Sequence, residues 1–326
     1  MTHHPETNDS KIEQGADDEA RRATTSISRD RQTLLAALPL TEQRRELAGI
    51  STAVLEGGEG PPVILLHGPS ANATHWMRVV PGLARTHRVI VPDLPGHGAS
   101  HVASGSLDAE RVLQWLGELI QQTCTARPAL VGQLLGGAIA ARFAIDKNVE
   151  LARLVLIDTF GLSDFRPTPE FAHALTEFGA APSEQTHRKL WGHCAYDLAI
   201  LRAQMGAYWE PFEAYNIASA RSASLKAALP GLMMSFGLHA IPAGDLARIT
   251  VPTTLIWGRH DRATPLAIGE SASTLYGWPL HVIDDVNDDP PVERPEAVTK
   301  ALLSILSDGA AAKAPISSVA RQARQP

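Results

Sequence analysis

Short apolar runs recur along the middle of the chain, at Val63–Leu66, Val89–Val91, Ala129–Val131, Leu154–Ile157, Thr254–Trp257 and His281–Ile283. Between them lie stretches with helical spacing, such as Val112, Trp115, Leu116, Leu119 and Ile120, which share one face of a helix. This alternation predicts a mostly parallel, doubly wound sheet with crossover helices, the α/β class. The sheet is expected to start antiparallel, because Arg45–Ala48 and Ser51–Leu55 flank a turn at Gly49.

The rhythm breaks between residues 162 and 247, where helical spacing continues without a strand. The pattern predicts a helical cap inserted into a core made of residues 33–161 and 248–307. Residues 1–32 and 308–326 carry no hydrophobic periodicity and read as disordered ends. The insertion holds ten of the chain's 17 aromatic residues, Trp209 among them. A small helical unit needs aromatics for its own core, but this enrichment also suits the wall of a pocket for a small apolar molecule.

Composition narrows the classes. The 326 residues carry 29 Lys and Arg against 35 Asp and Glu, a net charge of −6. With no basic block to override it, that balance argues against nucleic acid and anionic membrane as partners. The longest apolar stretch, 129–145, is interrupted by Gln133 and Arg142, so no membrane span is expected. Cys124 and Cys194 have neither the spacing of a zinc site nor the number for a disulfide scaffold, and no cofactor or metal is expected. The acidic, polar first 30 residues resemble neither a secretory signal nor a transit peptide, which makes a cytoplasmic protein the expectation. A homodimer is left open.

Five ordered segments carry a resemblance: VILLHGPS at 63–70, VPDLPGHGAS at 91–100, LVGQLLGGA at 130–138, LIWGRHD at 255–261 and DDPPVERP at 288–295. In order and spacing they resemble the α/β-hydrolase superfamily, in particular its capped ester, epoxide and carbon–carbon bond hydrolases. The resemblance spans about residues 43–306 and implies that superfamily's fold. It also implies a nucleophile on a strand-to-helix turn, a histidine base and an acid that orients the base.

Carried over one position at a time, the roles meet unexpected residues. The elbow Gly-x-Ser-x-Gly reads Gly132-Gln133-Leu134-Leu135-Gly136, which puts Leu134 at the nucleophile position. Leucine has no heteroatom to activate. Glu293 and Pro295 fix the register of the histidine segment, which then has Asn287 in the glycine slot and Asp288 in place of the base. Asp261 matches the retained acid. In the oxyanion loop Pro69 lacks an N–H, so the donor that would accompany the Leu135 N–H is lost unless Ser70 takes its role, and the pocket is expected to include Ser70, Leu135, Gln133, His75 and Trp209.

Other residues invite sharper readings. His67, Asp93, Gly96, His97 and Gly98 are expected to shape loops rather than react. Ser70 with His75 offers a relocated nucleophile and base, a reading set below the ordinary one of a surface loop. Asp261, Asp288 and Asp289 offer a proton-sharing pair or a divalent-cation site, set below the reading of acidic loops in solvent. The sequence thus predicts a hydrolase-like pocket protein without serine-hydrolase activity, a pseudoenzyme. The rival reading is an enzyme acting on an ester, lactone or epoxide through a relocated nucleophile or through Asp288 and Asp261 as acid and base.

Overall fold

The computed structural model describes residues 29–147 and 150–307. The terminal segments expected to be disordered lie outside the described residues except at 29–32, and there the expectation fails. Residues 29–35 are helical, with Leu34 and Arg31 only 1% and 6% exposed. The sequence pattern is polar there, but the polar groups have buried partners. Arg31 lies 2.9 Å from Asp93 Oδ2, donates to Glu42, and reaches the Tyr215 hydroxyl at 2.9 Å.

Nine strands form one sheet: β1 Thr41–Leu47, β2 Ile50–Gly57, β3 Pro62–Leu66, β4 Arg88–Pro92, β5 His101–Val102, β6 Ala129–Gln133, β7 Arg153–Ile157, β8 Thr253–Gly258 and β9 Leu280–Ile283. The order is β1-β2-β4-β3-β6-β7-β8-β9, with β5 paired to β2. The β1–β2 hairpin is antiparallel and turns on Ala48 and Gly49, both at positive φ, the geometry that suits a two-residue hairpin. From β4 to β9 the pairs are parallel, and Leu66 of β3 lies opposite Gly132 of β6.

Helices cover both faces, so the central strands are buried throughout and read as unbroken apolar runs. Helix α1, Ala109–Thr123, starts at an Asp108 cap and buries Val112, Trp115, Leu116, Leu119 and Ile120, the face its spacing predicts. Helix α2, Leu135–Lys147, follows β6 directly.

Between β7 and β8 the chain forms five longer helices: α3 Pro169–Ala180, α4 Glu184–Cys194, α5 Leu198–Met205, α6 Trp209–Arg221 and α7 Ala223–Leu232. Thr168, Ser183, Asp197 and Ser222 each accept a backbone N–H at the start of a helix, which divides this layer into separate units. The layer lies over the carboxyl ends of the strands, and its own core joins Trp191, Trp209, Phe212 and Tyr215 to Leu34 of the N-terminal helix. Helices α8, Leu266–Tyr276, and α9, Pro295–Ser307, complete the fold. No helix among the described residues is long and apolar enough to cross a membrane.

Candidate functional site

Strand β6 ends at Gln133 and α2 begins at Leu135, so Leu134 alone makes the turn between them. It does so at a φ of 45°, a conformation that costs a leucine on the order of 1–3 kcal/mol. Neighbouring contacts hold it there. The Leu134 N–H donates to Ile157 O at 3.0 Å, and the Leu134 carbonyl accepts from Ala138 and Phe160. Gly136 is required by space, since a β-carbon there would lie 2.5 Å from Leu66 O. The Leu134 side chain turns toward the loop after β3, where a β-carbon on Gly68 would lie 3.3 Å from Leu134 Cδ1.

At the ends of β7, β8 and β9 the structure gathers five carboxyl groups. Asp158 follows β7 at a φ of 43° and accepts the Gly258 N–H at 2.8 Å. Burial, then the Asp261 charge, pushes the Asp158 carboxyl well above the ordinary range. Burial raises Asp261 to about 7, although the Thr264 hydroxyl, the Thr264 N–H and the Ala263 N–H all donate to it.

Asp288 and Asp289 lie on the loop that follows β9. The Gln133 amide nitrogen donates to Asp288 O at 3.0 Å and to Asp289 Oδ1 at 3.1 Å, tying the elbow strand to this loop. Burial and then the charges of Asp261, Asp289 and Glu293 raise Asp288 strongly. Burial and Glu293 raise Asp289 to about 8, and burial raises Glu293 to about 7. The expectation of solvated acidic loops is therefore corrected for Asp261, Asp288 and Asp289, each under 9% exposed. The strands' ends and helix α4 close over them, while Asp284 and Asp285 stay in solvent.

His75 is buried beside this group, with Nε2 at 4.0 Å from Asp289 Oδ2, Nδ1 accepting the Asn72 N–H, and its ring 5.0 Å from that of Phe212. Burial lowers its pKa to about 3, so it is neutral. Ser70 sits at a φ of 57° in the same wall, but among the described residues its hydroxyl makes no hydrogen bond, to His75 or to any other group. His67 and Asp93 have the structural bonds expected of them. The Leu94 N–H reaches His67 Nε2, and the Ala73 and Ala99 N–H groups reach Asp93.

Core and helical layer enclose a cavity of about 380 Å³. Leu134, Ser70, His75, Gln133, Asp288 and Asp289 form its core side, and Phe165, Phe171, Phe178 and Trp191 dominate the opposite wall. Trp209 and Leu135 do not line it. Trp209 instead packs edge-on against Trp191 within the helical layer, and Leu135 is fully buried in the first turn of α2. Three residues come to the site unannounced by the sequence pattern: Asp158, Cys194 and His187. Cys194, at the end of α4, lines the cavity together with Asp288, and its thiol pKa is pushed well up by burial and then by the Asp288 charge. His187 bonds Glu213 at 3.1 Å and is lowered to about 3 by burial. Only the aromatic excess pointed to this layer, and it does not distinguish one helix face from another.

With this geometry in view, residues 63–301 match the model of the alpha/beta hydrolase family, and the chain belongs to that family. Its relatives span several activities. It is 30% identical over 236 residues to the magnesium-chelatase 30 kDa subunit of Rhodobacter capsulatus, covering 71% of this chain and 82% of that protein. It is equally 30% identical to a 2-hydroxy-6-oxo-2,4-heptadienoate hydrolase of Pseudomonas putida, over 67% of this chain and 78% of the relative. Among solved structures, a carboxylesterase from Bacillus subtilis superimposes with a TM-score of 0.75 at 17% identity, covering 88% of this chain and 98% of that one. The 2-hydroxy-6-oxo-6-phenylhexa-2,4-dienoate hydrolase from Rhodococcus gives 0.72 at 23% identity, over 82% and 99%. These two likenesses concern the fold.

Proposed function

We propose that this chain binds a small, mostly apolar molecule in the cavity between sheet and helical layer and does not hydrolyse it through a serine, a pseudoenzyme of its family. The supporting observation is Leu134. The turn keeps the left-handed backbone that would present a nucleophile, yet it presents an isobutyl group packed toward Gly68. No neighbour can turn that group into a nucleophile. Asp288, at the position of the base, is buried and neutral, and accordingly cannot accept a proton from a reacting hydroxyl at neutral pH. The aromatic wall supplies the apolar contact surface.

Ligand-induced stabilisation tests this reading. A library of small aromatic alcohols, amines, ketones and esters should contain compounds that raise Tm saturably and are recovered unchanged. Recovery of hydrolysed ester would overturn the proposal.

One feature supports a second reading. Asp261 at about 7 and Asp289 at about 8 have the proton affinity of general acids at neutral pH. An enzyme of this kind would cleave or isomerise a substrate by proton transfer with no covalent step. It would lose turnover on Asp288→Asn or Asp261→Asn while Leu134→Ala left the reaction running.

A further inference from the structure

Helix α6 and the loop after β3 are joined beside the cavity by Asn72. The Asn72 side-chain oxygen accepts the Thr74 N–H at 3.0 Å and the Thr74 hydroxyl at 2.7 Å, which leaves its amide nitrogen to donate to Asn216 Oδ1 on α6 at 3.4 Å. That fixes the Asn216 amide as well, since turning it over would set nitrogen against nitrogen. Asn216 Nδ2 is then left with no acceptor among the described residues.

Asn72 orients His75 too. Its backbone N–H donates to His75 Nδ1 at 3.4 Å, and a backbone amide can only donate, so Nδ1 is the bare ring nitrogen and Nε2 carries the proton. His75 Nε2 lies 4.0 Å from Asp289 Oδ2, beyond hydrogen-bond reach, and has no other partner among the described residues. Asn216 and His75 are each 5% exposed, and both line the cavity. Asn216 Nδ2 and His75 Nε2 are not sealed in as Gln133 Oε1 and Asp288 Oδ1 are. One N–H from the helical layer and one from the core therefore open into the cavity without acceptors, and a purely apolar ligand would leave both unpaired at a cost.

We infer that Asn216 and His75 form the polar recognition point of the cavity and donate to an uncharged carbonyl oxygen of its ligand, an apolar ketone or amide whose hydrocarbon lies against Phe165, Phe171 and Trp191. A carbonyl oxygen has two lone pairs and no proton, which matches two N–H groups. An ammonium ion brings only donors. A carboxylate would bring its charge close to Asp289, and among the described residues no Lys or Arg pairs with Asp288 or Asp289 to offset it. The Ser70 hydroxyl can turn to donate or accept, so it does not set the polarity of the site. The pair belongs to the seam between α6 and the loop after β3 and works without any nucleophile at Leu134. This inference rests on the binding reading above and gives it a ligand class.

Acetylnaphthalene, ethylnaphthalene and naphthoate share one skeleton, and calorimetry and Tm shift on the whole chain compare their binding. The ketone should bind about tenfold more tightly than the hydrocarbon, as two modest hydrogen bonds imply, and more tightly than naphthoate. Asn216→Leu with His75→Phe should abolish the preference for the ketone over the hydrocarbon. The carbonyl stretch of the bound ketone, read by isotope-edited infrared difference spectroscopy, should lie below its position in a hydrocarbon solvent and return toward it in the double variant. Residues with a merely structural role would not move that band. If the double variant does not fold, the affinity order and the carbonyl band on the unaltered chain decide the matter.

A hydrocarbon or a naphthoate that binds as well as the ketone overturns the carbonyl inference and leaves the binding reading standing. So does a bound ketone whose carbonyl band stays at its hydrocarbon-solvent position, or a folded double variant that keeps the preference. If none of the three probes binds, both fail together.

Discussion

Leu134 and Gly68 face each other across the opening where the strand-to-helix turn meets the loop after β3, with 3.3 Å between Leu134 Cδ1 and the position of a Gly68 β-carbon. Leu134 is thus both strained in its backbone and useful in its packing. Replacing it separates the two. Leu134→Ala keeps the strain and loses the packing, at an expected cost of about 2 kcal/mol. Leu134→Gly loses the same packing but relieves on the order of 1 kcal/mol of backbone strain, so it should be the more stable variant. Chemical denaturation measures both, and the ordinary order, alanine above glycine, would contradict the strained turn.

Arg31 ties three parts of the molecule together through Asp93, Glu42 and Tyr215, and is almost wholly buried. Arg31→Ala leaves Asp93 buried without its cation and should cost about 3 kcal/mol. Because Tyr215 belongs to the helical layer, hydrogen exchange should also quicken in α6. A loss of stability under about 0.5 kcal/mol, the range of ordinary surface substitutions, would show that the N-terminal helix is not fastened to the fold.

Stability should fall as pH rises through neutrality. Asp261, Glu293 and Asp289 have folded-state values of about 7, 7 and 8, above those of an unfolded chain, so the folded protein holds more protons than the unfolded one between about pH 4 and 8. Stability conferred by the neutral carboxyls is present at low pH and is lost over that window. The buried histidines act in the opposite sense. His75, His187 and His97 are lowered to about 3, 3 and 4, so their contribution is complete above about pH 6.5 and is lost as pH falls toward those values. Above about pH 6.5 only the carboxyl effect remains. Tm is expected to decline from pH 6.5 to 8.5, and a rise over that interval would contradict the buried carboxyl group.

Asp158 accepts the Gly258 N–H while its carboxyl is raised by burial and by the neighbouring Asp261 charge. An asparagine keeps the Gly258 bond through its oxygen and removes one buried acid. Asp158→Asn should therefore change stability by less than about 1 kcal/mol at pH 6 and flatten the decline at higher pH. Asp158→Leu leaves the Gly258 N–H unpartnered and should cost about 2 kcal/mol.

Much of this architecture is legible in the sequence, because strands buried on both faces leave unbroken apolar runs and the elbow glycines sit at fixed spacing. Residues 63–66 and 130–138 placed both the sheet and Leu134. The site's chemistry is less legible where it depends on which way a side chain faces. Trp209 and Trp191 are alike in sequence, but Trp191 reaches the cavity while Trp209 packs behind it. Asp261, Asp288 and Asp289 read as solvent-facing acids because nothing local says that a helix from 90 residues away covers them. Asp158 looks like any loop residue after a strand until its burial near Asp261 is seen. Arg31 lies in a stretch whose polarity reads as disorder, since its partner Asp93 is distant along the chain.

The most direct test of the central claim, that the cavity holds no activated serine, is intact-mass analysis after treatment with a fluorophosphonate. The control is the Leu134→Ser, Asp288→His double variant, which restores a hydroxyl at the elbow and a base beside Asp261. The account predicts an unlabelled natural chain and a double variant that gains the mass of one adduct. An adduct on the natural chain would contradict it, and the labelled peptide would identify the nucleophile that Leu134 cannot supply.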